Sequence, residues 1–88
     1  MKEIKSSQLY YAMAYDSLNE VDFDGIEVDK DALAAVEKSV SILTDHKFLQ
    51  VPLTVVRLDL YIDGSIVGKY QIYLDEDNLV IDDVLEIY

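Results

Sequence analysis

Leu53-Thr54-Val55-Val56-Arg57-Leu58-Asp59-Leu60-Tyr61-Ile62-Asp63-Gly64-Ser65-Ile66-Val67-Gly68-Lys69-Tyr70-Gln71-Ile72-Tyr73-Leu74 alternates apolar and polar residues on both sides of an Asp-Gly dipeptide. A period of two puts Val56, Leu58, Leu60 and Ile62 on one face of a strand, and Val55, Arg57, Asp59 and Tyr61 on the other. After the turn, Tyr70, Ile72 and Leu74 alternate in the same way with Lys69, Gln71 and Tyr73. The stretch reads as a β-hairpin with one apolar face, the unit of an antiparallel sheet.

Parity sets its register. A plain two-residue Asp63-Gly64 turn would place Leu60 against Val67 and Leu58 against Lys69, mixing the two faces. A three-residue loop Asp63-Gly64-Ser65, or a bulge at Gly68, restores Leu58 opposite Tyr70 and Val56 opposite Ile72. Downstream, a four-residue loop Asp75-Glu76-Asp77-Asn78 leads to a third strand. There Leu74 is expected opposite Leu79 and Ile72 opposite Ile81, with Leu79, Ile81, Leu85 and Ile87 facing the core. Upstream, Phe48 to Val51 reads as a connector, and Pro52 suits a strand start because it has no amide hydrogen to give a ladder.

Before the sheet, two helices and a short hairpin are expected. Ser6 or Ser7 can cap a first helix running to about Asn19. Leu9, Tyr10, Tyr11, Met13, Ala14, Tyr15 and Leu18 cover more than half of its circumference, which reads as a central helix covered by other elements. In Val21 to Val28, a two-residue Asp24-Gly25 turn would set Phe23 against Ile26 and Val21 against Val28. Asp29 then caps a second helix of roughly Lys30 to His46, on the three- and four-residue repeat of Leu33, Val36, Val40 and Leu43. The expected fold is α+β: one domain over residues 1–88, with two helices packed on one face of a three-stranded antiparallel meander and an extra hairpin between the helices.

The 88 residues carry 18 Asp and Glu against 7 Lys and Arg, a net charge of −11. The acids gather in Asp16 to Asp31 and Asp75 to Glu86. Such a surface repels nucleic-acid phosphates and anionic lipid, and it attracts basic proteins. With 51% apolar residues the chain can fold despite its self-repulsion. The absence of cysteine excludes a disulfide framework, a thiol nucleophile and a thiolate metal site, and it fits a reducing compartment. No apolar run reaches the length of a signal peptide or a membrane span, so the expected location is the cytoplasm.

Little points to catalysis or to a cofactor. The single histidine, His46, falls near the expected end of the second helix, where the helix dipole favours a charged imidazole. Glu20-Val21-Asp22-Phe23-Asp24-Gly25, with Asp31, overlays a calcium-binding EF-hand loop. However, Glu20 replaces the usual first aspartate, Glu27 stands at an apolar position, and Asp31 is one methylene short of the bidentate glutamate. A turn accounts for the same residues and also for Val21, Phe23, Ile26 and Val28. Neither metal nor cofactor is expected.

The outer sheet face, with Arg57, Asp59, Tyr61, Lys69, Gln71, Tyr73, Asp82, Val84, Glu86 and Tyr88, mixes aromatic rings with charge in the manner of an interface. Candidate partner-binding residues are Asp22, Asp24, Asp59, Tyr61, Tyr73, Asp75, Glu76, Asp77, Asp82, Glu86 and Tyr88. In size, acidity and lack of catalytic residues, the chain resembles small phage-encoded inhibitors of the anti-CRISPR, anti-restriction and uracil-DNA glycosylase inhibitor kinds. No motif is shared with them, so no residue role is carried over. The expectation is a non-enzymatic inhibitor that blocks a basic nucleic-acid-binding protein or nuclease, with DNA mimicry as one route. The alternative is an accessory domain forming a homodimer through an exposed sheet edge.

Overall fold

The computed structural model describes residues 2–43 and 52–88, and their side chains from residue 7 onward. The chain runs through α1 (Lys2–Glu20), a single 3-10 turn (Lys30–Ala32), β1 (Ala34–Leu43), β2 (Leu53–Ile62), β3 (Ser65–Leu74) and β4 (Val80–Ile87). The strands form an antiparallel meander in the order β1-β2-β3-β4. α1 lies across one face, over β1, β2 and β3. Ala14 and Leu18 of the helix are buried against Val56, Leu58 and Leu60 of β2 and Tyr70, Ile72 and Leu74 of β3. The period-two pattern assigns all of these strand residues to the core; Ile62, assigned with them, is only half-buried.

The architecture is therefore one helix on four strands, not two helices on three. The expected second helix is the strand β1 over Ala34–Leu43, and its Thr44 to His46 end lies outside the described residues, as does the Phe48 to Val51 connector. The physical reason is the demand of β2. Its side chains are almost all buried or half-buried, so a bare edge along it would leave backbone amides and carbonyls unpaired. β1 supplies the missing ladder, pairing from Ala34↔Tyr61 to Leu43↔Leu53. A bulge between Glu37 and Ser39 accounts for the misleading repeat, because it puts Val36 opposite Asp59 on one face and Val40 opposite Val56 on the other. The β-branched Val36, Val40 and Ile42 suit a strand at least as well as a helix.

Other expectations shift locally. α1 starts at Lys2, so Ser6 and Ser7 lie inside it rather than at its cap; Lys2, Glu3 and Lys5 are good helix formers. The helix is covered on one side only, with Leu9 58% exposed. Val21 to Val28 forms no strands. Asp24-Gly25 does turn, with Ile26 N donating to the Phe23 carbonyl at 2.9 Å and Gly25 at φ +85°. A positive φ at the second turn residue alone is a type II turn, which splays the flanking chain rather than pairing it. Asp29 does act as a cap, accepting from Asp31 N at 3.0 Å, but it caps the 3-10 turn.

In the central hairpin the bulge alternative holds. Asp63 and Gly64 sit at φ +51° and +81°, a type I′ turn that closes Ile62 against Ser65. The register then shifts so that Leu60 meets Gly68, and Leu58↔Tyr70 and Val56↔Ile72 follow as expected. The last hairpin differs from its expected register. The Asp75 carboxylate accepts from Asp77 N and Leu79 N, Asn78 takes φ +62°, and Asp75 N bonds to the Leu79 carbonyl. The turn therefore closes one residue later, pairing Leu74 with Val80 and, past a bulge, Tyr73 with Asp82 and Ile72 with Asp83. Asp83, Leu85 and Ile87 take the helix-side face. Leu79 and Ile81, expected in the core, are 62% and 46% exposed. Among the described residues no helix is long and apolar enough to cross a membrane.

Candidate functional site

The outer face of the sheet carries the residues that alternation places there, and two pairs neutralise most of its charge, while Asp82, opposite Tyr73, has no cation beside it among the described residues. Arg57 Nε donates to Asp59 at 3.0 Å, and Asp59 is only 6% exposed. Lys69 Nζ lies 3.6 Å from Glu86 across the β3/β4 pair. Gln71 donates to the Tyr73 hydroxyl, and Arg57 also reaches the Tyr88 hydroxyl at 3.5 Å. Tyr61 and Tyr73 are half-buried and Tyr88 is exposed. Among the candidate residues, Asp59, Tyr61, Tyr73, Asp82, Glu86 and Tyr88 therefore share this face. Asp59 is held beneath it rather than presented.

Apart from Asp82, the acids without an ion pair among the described residues lie elsewhere. Asp75, Glu76 and Asp77 form the β3/β4 turn, where the Asp75 carboxylate is engaged by the turn amides and Glu76 and Asp77 are exposed. Asp22 and Asp24 belong to the segment whose Val21 and Phe23 pack on the helix-side core, and Asp22 accepts from Asp24 N at 2.9 Å. Tertiary structure brings the two acidic runs together. A crevice of about 360 Å³ opens between the end of α1 and β4, lined by Ser17, Glu20, Val21, Tyr70, Val80 and Asp83. Glu20 comes from the first run and Asp83 from the second, and among the described residues no cation lines the space.

Tyr70 forms the floor of this crevice. Its ring is fully buried, and its hydroxyl donates to Asp83 at 2.8 Å. Burial, and then that bond, push its pKa well above the ordinary tyrosine value. The hydroxyl stays protonated and holds the Asp83 carboxylate in place at the mouth. The nearest sequence-local cation, Lys30, is spent on the backbone: its Nζ donates to the carbonyls of Asn19 at 2.8 Å and Val21 at 2.7 Å, closing the helix end, and stacks over Phe23. Beside the crevice, Leu79, Val80 and Ile81 are exposed.

Glu20, Asp83 and Tyr70 were not among the candidates. Glu20 and Asp83 lie within the acidic runs, but nothing local marks either as meeting the other, and Tyr70 reads as an ordinary core residue. The arrangement can attract and seat cationic side chains beside an aliphatic patch. The EF-hand spacing is not realised as a loop between two helices, since a strand follows it. Among the described residues no three His, Cys, Asp or Glu side chains gather to hold a metal ion. The chain matches no known protein family, and no curated protein or solved structure matches it.

Proposed function

We propose that this is a non-catalytic acidic binding protein of the cytoplasm that docks on a basic protein surface and blocks it. Nucleic-acid-binding proteins are the partner class with surfaces of that character. The observation that carries the reading is the junction of the two acidic runs at the crevice between α1 and β4, with Glu20 and Asp83 on its walls and exposed Leu79, Val80 and Ile81 beside it. Unpaired carboxylates steer and select a cationic partner, and the aliphatic patch supplies area that excludes water. Imitation of a DNA backbone is a narrower form of the same reading.

The test is capture from nuclease-treated bacterial lysate at low and high salt. A basic nucleic-acid-handling protein, released by salt and competed by DNA, is the expected catch. Glu20→Gln with Asp83→Asn should weaken its binding by roughly ten-fold or more, as for close charge pairs at interfaces. Unchanged binding after neutralising these two, together with Glu76 and Asp77, would sink the reading. The exposed aliphatic residues of β4 favour a second reading, a homodimer. That reading requires twice the monomer mass at both low and high salt.

A further inference from the structure

The open edge of the sheet beside the crevice carries its own hydrogen-bonding pattern. Among the described residues nothing pairs with the far side of β4. Tyr88 N donates to the Val67 carbonyl of β3, so by antiparallel alternation Glu86, Val84 and Asp82 also direct their backbone groups inward. Asp83, Leu85 and Ile87 direct theirs outward. The Asp83 amide is taken by the Asp82 carboxylate at 2.9 Å, which leaves the amides of Leu85 and Ile87 and the neighbouring carbonyls for another chain. The opposite edge is defended: β1 bulges at Lys38, and an edge lysine and a bulge are two devices that prevent strand addition. β4 has neither lysine nor proline, and its own bulge, at Ile81, lies before the stretch from Asp83 to Ile87, which pairs with β3 without a break. Its acids, Asp82, Asp83 and Glu86, would repel a second β4 while accepting a basic strand.

Resting on the docking role proposed above, we infer that β4 receives an extended basic segment of the partner as an antiparallel fifth strand. On the helix-side face, aliphatic side chains of the incoming strand meet Leu85 and Ile87. On the outer face, its lysines or arginines meet Asp82, and Glu86, which they share with Lys69. In an antiparallel pair, residues opposite Leu85 and Ile87 share their face and exchange backbone bonds with them. The aliphatic residues of the partner therefore present their amides to β4, and the basic ones turn theirs away.

That parity is the test. A capped ten-residue peptide of alternating lysine and valine, titrated into the ¹⁵N-labelled protein, should slow hydrogen exchange at the amides of Leu85 and Ile87. N-methylation of the valine amides should weaken binding by ~10-fold or more, whereas N-methylation of the lysine amides leaves it within ~2-fold. Equal effects at both parities, no binding, or unchanged exchange at Leu85 and Ile87 would overturn strand addition. In the first of these cases, salt-sensitive binding would leave the docking role itself standing. Protection of both amides in the peptide-free protein, with a doubled mass, would overturn it in favour of a second copy.

Discussion

Two Asp-Gly dipeptides take different shapes in this chain. Asp63-Gly64 has positive φ at both residues and closes a hairpin, whereas Asp24-Gly25 has it at glycine alone and only redirects the chain. The difference lies in the flanks: nine paired residues on each side impose the twist of a type I′ turn, and Phe23 and Ile26 have no such ladder to satisfy. Gly68 is fixed by space rather than by φ, since a Cβ there would run into the Glu86 carbonyl of β4. Gly68→Ala should destabilise the protein by about 2 kcal/mol or more in urea titration, because the obstacle is backbone. Tyr70 offers a test of electrostatics. Burial and Asp83 raise its pKa, and burial followed by Glu37 raises those of Tyr11 and Tyr15. The native state thus keeps protons that the unfolded chain releases near the free-tyrosine value of 10.0. Stability from these groups is complete below about pH 10 and falls as pH rises further. Urea melts across that range should show the fall. Tyr70→Phe should lessen it while costing about 1 kcal/mol at neutral pH, and an unaltered alkaline slope would contradict the assignment.

At the scale of elements, the decisive segment is β1. If β2 were an edge strand, only alternate amides along it would resist hydrogen exchange. With β1 and β3 on either side, protection should run through consecutive residues of Leu53–Ile62. α1 depends on a cation that arrives from ten residues beyond its end, since its last turn holds no basic residue of its own. Lys30→Met should cost about 1–2 kcal/mol and fray the last turn, seen as lost amide protection near Asn19 and Glu20. β4 is the element least committed to the core: its first half is exposed, and only Leu85 and Ile87 lean on the rest.

The described residues form a slab of 37 × 32 × 20 Å, about the thickness of one helix layer on one sheet. Among the described residues no third layer covers the outer face, and Arg57 with Asp59 and Lys69 with Glu86 pair there instead. The net charge of −11 bears on the whole slab. Raising salt from about 50 mM to about 500 mM should raise the melting temperature by a few degrees as self-repulsion is screened, while binding of a basic partner weakens. A melting temperature that falls with salt would show that the exposed carboxylates are held in favourable pairs.

Period-two alternation with matched parity was enough to determine the hairpin of β2 and β3, the pairing of Leu58 with Tyr70 and Val56 with Ile72, and all of its expected core residues but Ile62, while the choice of a bulge over a three-residue loop was left to the fold. A one-residue slip would have turned every apolar side chain to water, and that penalty is legible in the sequence. Leu85 and Ile87 were legible for the same reason. The identity of β1 was not, because a bulge can give a strand the spacing of a helix, and only the unpaired edge of β2 decides between them. The turn at Asp75 was hidden too, since its carboxylate can bond several amides and only the fold chooses which. The meeting of Glu20 with Asp83 over Tyr70 belongs wholly to tertiary structure: residues more than sixty positions apart become neighbours only once the helix has settled on the sheet.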